Sequence, residues 1–286
     1  MAGNVHIAGT GVISAIGMNL AENLLSLAAG RTGIGAIRRL PTVHQTDFPS
    51  GEIGLSNEEL QAKCGWDHYP KNSISRTAML GFLAAKEAVD AAGLSLPDMA
   101  GDRLRCGFIS ATSVGGMDLT EDFFPAFMQN PATGGRLRNV RQHECGAVTN
   151  HIANALNPGN WTYTSTISTA CSSAANAIML GARMIKAGRM DMVLAGGTDA
   201  LSRFTLNGFN TLMILDHALC QPFDRQRRGL NLGEGAGYLL LVSDAVKERY
   251  GLAAKVQVTG YANANDAHHQ TASSPDGAGS YLYRAG

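Results

Sequence analysis

Residues 165–188 read STISTACSSAANAIMLGARMIKAG, and the way this stretch divides decides the fold class. With the residues just before it, it gives the run WTYTSTIST (161–169), dense in β-branched and aromatic side chains, which predicts a strand. Beyond Cys171 the pattern changes. Ala175, Ile178, Ala182 and Ile185 recur at helical spacing, and Gly188 stops the run. The same switch from strand to helix recurs along the chain. VHIAG (5–9) reads as a first strand and residues 18–29 as a helix, and ISRTAMLGFLAAKEAVDAAG (74–93) predicts a stronger helix with Ala78, Phe82, Ala85 and Val89 on one face and a stop at Gly93. CGFISAT (106–112) and MVLAGG (192–197) are short apolar runs bounded by glycines, as expected of strands buried on both faces of a mostly parallel sheet. GYLLLVSDAV (237–246) and KVQVTGYANA (255–264) are further strand candidates. Strands alternating with helices define an α/β layered fold.

The junction at Cys171 has chemical consequences. A thiol at a helix N-terminus faces unpaired N–H groups and the positive end of the macrodipole, which favour the thiolate. The small Ser172, Ser173, Ala174 and Ala175 leave room beside the sulfur for a substrate carbonyl. A strand-turn-helix elbow exposes its nucleophile while backbone N–H groups face the oxyanion. Free cysteines are otherwise mostly small buried apolar residues. The other four, Cys64, Cys106, Cys145 and Cys220, stand at no such junction.

Composition narrows the alternatives. The chain has 286 residues, 45% hydrophobic and 16% charged, enough for a sizeable core. Lysine plus arginine balance aspartate plus glutamate at 23 each, so no overall basic field invites nucleic acid or an anionic membrane. No apolar stretch approaches the ~20 residues of a membrane span, and the N-terminus lacks a signal-peptide pattern, so a cytoplasmic protein is expected. An odd set of five cysteines without a CxxC pair argues against disulfides and zinc.

Other motifs are weaker. In GTGVISAIG (9–17) the third glycine falls too late for a dinucleotide fingerprint, and a tight strand-to-helix turn is the better reading. Residues 115–146 are polar without clear periodicity and read as a long surface excursion. Asp266, His268 and His269 suggest a metal site, but adjacent histidines in extended chain point to opposite faces and no further ligands have metal spacing. Two basic clusters, Arg136, Arg138 and Arg141, and Arg225, Arg227 and Arg228, are suited to solvent, to an acidic partner or to a phosphate group.

Taken together and in order, TACSSA (169–174), GRMDMVLAGGTDA (188–200) and QPFDRQRRGLNLGEGAG (221–237) resemble the β-ketoacyl synthase family, in particular the condensing enzymes that elongate acyl chains on acyl carrier protein. GTGVISAIG, SRTAMLGFLAAKEAVDAAGL (75–94) and NDAHHQT with PDGAG (265–279) look like that family at matching places. The resemblance implies a thiolase-like αβαβα fold of two similar halves. Residues 1–251 would form the N-terminal half, with the strand before Cys171 near a dimer interface, and 252–286 the start of an incomplete second half. It implies Cys171 as the nucleophile that takes an acyl group from a phosphopantetheine thioester. Gly233 and Glu234, with Gly235, would shape the interior around it, and His269 and Thr271 would line the pantetheine channel. Arg136, Arg138 and Arg141 are candidates for contact with the carrier protein. No cofactor or metal is implied; the expected partners are acyl carrier protein bearing acyl and malonyl groups, and a second copy or a separate C-terminal half.

One departure carries weight. The family's two catalytic histidines, its lysine and its gating phenylalanine belong to the second half, and no histidine here is followed by glycine as the first of them is. Decarboxylative condensation needs donors aimed at an enolate oxygen, and losing one such donor costs on the order of a hundredfold. The chain alone is therefore expected to accept an acyl group and not to condense. Half of a two-part core should also leave apolar surface exposed.

Overall fold

A computed structural model of the chain describes residues 3–71, 73–94, 104–132, 134, 137–157, 159–265, 267–269 and 274–277. The first elements are β1 (Val5–Ser14), α1 (Leu20–Ala28), a two-residue ladder of β2 (Ile34–Gly35) with β3 (Ser50–Gly51), α2 (Asn57–Lys63) and α3 (Arg76–Ala91). Then come β4 (Cys106–Ala111), α4 (Met117–Gln129), α5 (Leu137–Val140), α6 (Cys145–Leu156), β5 (Tyr163–Ile167), α7 (Ser173–Lys186) and β6 (Met192–Asp199). The last are α8 (Arg203–Thr211), β7 (Gly235–Ser243), α9 (Asp244–Arg249) and β8 (Val256–Gln257).

The main sheet has the order β5-β4-β6-β7-β1-β8 and is covered by α3 on one face and α7 on the other. Strand alternation sorts the side chains between these layers. Met192 and Leu194 enter the core under α3, whereas Val193 and Ala195 enter the core under α7. The face expected of α3 is the buried one; on α7 Ala182 and Ile185 are buried as expected, but Ile178 is half-buried and Ala175 exposed, the buried row running instead through Ser173, Ala177 and Gly181. Gly93 and Gly188 end the two helices at φ +67° and +64°, the left-handed stop that glycine adopts without strain.

The structure corrects four expectations. The sheet is mixed: β4 runs parallel to β5 and β6, while β6, β7, β1 and β8 are antiparallel neighbours. Asp199 and Gly235 are register partners, so the chain leaves β6 and re-enters β7 at the same end of the sheet, and no crossover is needed. Burial on both faces produces the same apolar run whichever way the strand points, so the sequence did not reveal direction. Second, Gly9 and Gly11 lie within β1 and not in a turn. A Cβ on either would come within 1.9 Å of a carbonyl oxygen of α3, Ala88 or Ala84, so the two glycines let helix and strand meet backbone to backbone. Third, residues 115–146 contain the 13-residue α4, whose pattern is hidden by Pro125 inside the helix and by five apolar aromatic or sulfur-bearing side chains. Fourth, the strand expected over 255–264 is only Val256–Gln257, and the chain beyond it runs over α7: Lys186 Nζ lies 5.1 Å from the Tyr261 ring centroid, and Asn263 donates to Asn176 (3.0 Å).

Apolar side chains do remain at the surface. Leu24, Leu25 and Leu27 of α1 are 56–66% exposed, while the residues that α1 buries are Asn23 and Ser26. Among the described residues no helix is long and apolar enough to cross a membrane.

Candidate active site

β5 ends at Ile167 and α7 begins at Ser173, and the five residues between make the elbow. Ala170 adopts φ +51°, a left-handed conformation that costs a residue with a Cβ about 1–2 kcal/mol. Ser173 holds it there, its Oγ accepting from Thr169 N–H (2.8 Å) and donating to the Ala170 carbonyl (2.6 Å). Asn176 ties in the next turn by donating to Thr169 Oγ1 (2.8 Å) and Ser172 Oγ (3.1 Å). The strain is thus offset by a side-chain lattice, and Cys171 stands exposed at its apex, just before the Ser172 cap of α7.

Two cavities meet at this residue. One, of about 260 Å³, is lined by small residues, with Ala111, Ala174, Gly197, Gly233 and Gly237 among them. The other, of about 380 Å³, is mostly apolar, with Val114, Leu201, Thr205, Phe209 and Leu232 in its wall. Cys171, Ala170, Ser113, Asp199 and Gly233 line both. The Asp199 carboxylate fixes the β4 exit, accepting from Thr112 Oγ1 (2.8 Å), Ser113 N–H (2.8 Å) and Ser113 Oγ (3.0 Å). Cys64 and Cys106 are buried where Cys171 is exposed; burial pushes the Cys64 thiol up to about 12 and, with the Asp191 charge adding to it, Cys106 up to about 11.

Gly233 lines both Cys171 cavities, and Glu234 lines neither. Its carboxylate is almost fully buried and accepts from Arg76 Nε (2.9 Å) and Nη2 (2.7 Å) and from the Ile53 (2.9 Å) and Leu201 (3.1 Å) amides. Arg76 spends its remaining donors on the carbonyls of Ile53 and Leu55 and on Asn57 Oδ1. Every donor of this guanidinium is engaged, so the pair is a structural pin beside the Gly233 wall of the Cys171 cavities. His269 lies in exposed chain and Arg141 is exposed next to α5. Thr271, Arg136 and the side chain of Arg138 lie outside the described residues.

Sequence reasoning missed Arg76, Ser173 and Asp199. A signal was present for the last, since a carboxylate ending an otherwise apolar buried strand needs partners. It also missed Asp118, the first-turn acid of α4, whose Oδ2 accepts from the Arg76 amide (2.7 Å) while Oδ1 is buried without a partner. Burial, with Glu121 adding to it, pushes its pKa from 3.8 to about 7, against the Arg76 amide bond and charge, which lower it. A folded-state pKa above the unfolded one means stability that is complete below pH ~4 and lost as pH rises to ~7, by up to about 4 kcal/mol for this shift. Asp118→Asn keeps an acceptor for the Arg76 amide and should remove this component: urea titrations at pH 5 and pH 8 should differ less in the variant than in the parent.

The chain matches the family model described as "Beta-ketoacyl synthase, N-terminal domain" over residues 2–246. The chain belongs to the β-ketoacyl synthase family. Among its relatives, a 3-oxoacyl-[acyl-carrier-protein] synthase 2 of Staphylococcus aureus is 28% identical over 291 residues, covering 96% of this chain and 66% of that protein. The chain thus spans just under two thirds of that relative's length. The ishigamide ketosynthase/chain length factor is similar in structure with a TM-score of 0.87 at 28% identity, covering 99% of this chain and 69% of that one. A ketosynthase solved in complex with its chain length factor from Xenorhabdus doucetiae has a TM-score of 0.76 at 25% identity, covering 97% of this chain and 65% of that one. These neighbours carry the thiolase-like ketosynthase fold, and the α3, sheet and α7 layers of this family member share its α/β class.

Proposed function

We propose that this chain carries the acyl-transfer step of a β-ketoacyl-ACP synthase, with Cys171 as nucleophile. The observation that carries the reading is the exposed sulfur at a strained, hydrogen-bonded elbow where a small-residue cavity meets an apolar one. The thiolate attacks the thioester carbonyl, the phosphopantetheine sulfur leaves and takes a proton, and the acyl chain extends into the apolar cavity between Val114 and Phe209. Among the described residues the Cys171 N–H donates to no acceptor, which suits it to the oxyanion.

Decarboxylation of a malonyl thioester demands further donors. None of the residues lining either cavity is a histidine or lysine. Condensation then depends on donors that these walls do not supply, in the complete enzyme from a second half opened by residues 252–286 after an N-terminal half of 1–251. His269 and Thr271 are the candidates for the pantetheine channel and Arg136, Arg138 and Arg141 for the carrier protein. The partners are acyl carrier protein and either a second copy or a C-terminal half. The test is incubation with acyl-carrier and then malonyl-carrier thioesters: an acyl adduct that persists without elongation supports the reading, and malonyl-dependent elongation by this chain alone refutes it.

A second reading is a non-catalytic partner that binds carrier or sets chain length. The solved neighbours that contain chain length factors favour it. It predicts no acyl adduct at all.

A further inference from the structure

α8 forms one wall of the apolar cavity through Thr205 and Phe209, yet it is barely anchored by packing. Leu206 is its one buried residue, set in a small cluster with Ile37 and Phe48, and Phe204 is 57% exposed. A nine-residue helix with so little buried surface is marginal on its own. Its position is fixed from outside. Glu121 on α4 accepts from the Arg203 (3.1 Å) and Phe204 (2.9 Å) amides, two orphan donors of the first turn, and Ser202 Oγ accepts from the Thr205 amide (3.1 Å). Arg203 returns across the gap to Glu121 (3.4 Å) and Asp122 (2.7 Å). The Glu121 side chain is only 12% exposed, so its own contacts are weakly screened, whereas Asp122 is 61% exposed and its pair with Arg203 adds little.

We propose that Glu121 is a positioning residue that sets which chain lengths the cavity beside Cys171 accepts, by holding the first turn of α8 and with it Thr205 and Phe209. This rests on the reading of that cavity as the acyl site. With the staple removed, α8 is held by Leu206 and its Ser202 cap, the wall loosens, and each added methylene gains less from burial.

The experiment measures the rate of Cys171 modification on the full chain with two series: acyl thioesters from acetyl to decanoyl, and N-alkylmaleimides from methyl to octyl. Iodoacetamide, which needs no cavity, is the reference. Parent rates should depend on chain length, and Glu121→Ala should reduce the long-to-short ratio about tenfold in both series, with iodoacetamide changed less than twofold. Glu121→Gln, which retains one carbonyl acceptor, should fall between. Should Glu121→Ala not fold, Arg203→Gln, which loosens the same staple, should shift the ratio in the same direction. A ratio unchanged in the variants, a parallel fall of all reagents including iodoacetamide, or a parent with no chain-length dependence overturns the proposal. If thioesters fail on the parent while the maleimide ratio still collapses in Glu121→Ala, the acyl-transfer reading fails and the role of Glu121 stands.

Discussion

Cys171→Ser is expected to remove every acyl adduct from the chain while leaving its stability within about 0.5 kcal/mol of the parent, because the sulfur is exposed and makes no packing contribution to replace. A serine hydroxyl at the same elbow has no histidine or lysine among the cavity-lining residues to activate it, and the Asp199 carboxylate there is already engaged by Thr112 and Ser113, so the loss should be complete and not merely partial. The remaining thiols do not compensate. Cys64 and Cys106 are buried with raised pKa values, and Cys145 and Cys220 are half-buried. Intact-mass measurement after thioester treatment checks this, alongside thermal melts of both proteins. An adduct retained in the serine variant would place the nucleophile elsewhere.

Arg76→Met or Glu234→Gln should each cost about 3–5 kcal/mol, since either change leaves a buried charge with no counter-charge. The cost reaches beyond the pair. Arg76 also satisfies the carbonyls of Ile53 and Leu55, and the two Glu234 oxygens one amide each, of Ile53 and Leu201, so Arg76→Met orphans both carbonyls and Glu234→Gln, which keeps one acceptor oxygen, orphans one amide. Because Leu201 and Gly233 line the Cys171 cavities, acylation should slow along with the fall in stability. The double variant Arg76→Met with Glu234→Leu should recover part of the loss, since apolar replacement of both partners removes the uncompensated charge. Urea unfolding of the three variants decides it: single changes below 1 kcal/mol would mean that water reaches the pair.

The elbow was legible because a change of period, from strand to helix, coincides with a reactive residue and small neighbours. The core face of α3 was legible for the same reason, and that of α7 only at Ala182 and Ile185, since small residues such as Ala177 and Gly181 carry its buried row without an apolar signal. Strand direction was not, since β6 and β7 are apolar on both sides whichever way they run. α4 was obscured by Pro125, and the partner of Glu234 was invisible because the guanidinium that claims its carboxylate lies 158 residues away in sequence. Long-range pairing of this kind leaves no local pattern. Arg76 within SRTAMLG looks like an ordinary helix-start residue, and only the folded chain brings it to Glu234.

The most direct measurement is peptide mapping of the chain after brief exposure to a carrier-bound acyl thioester. One acyl group per chain, on the peptide containing Cys171, is the predicted result. Acyl groups spread over several residues, or none on a Cys171 that iodoacetamide still labels, would contradict it.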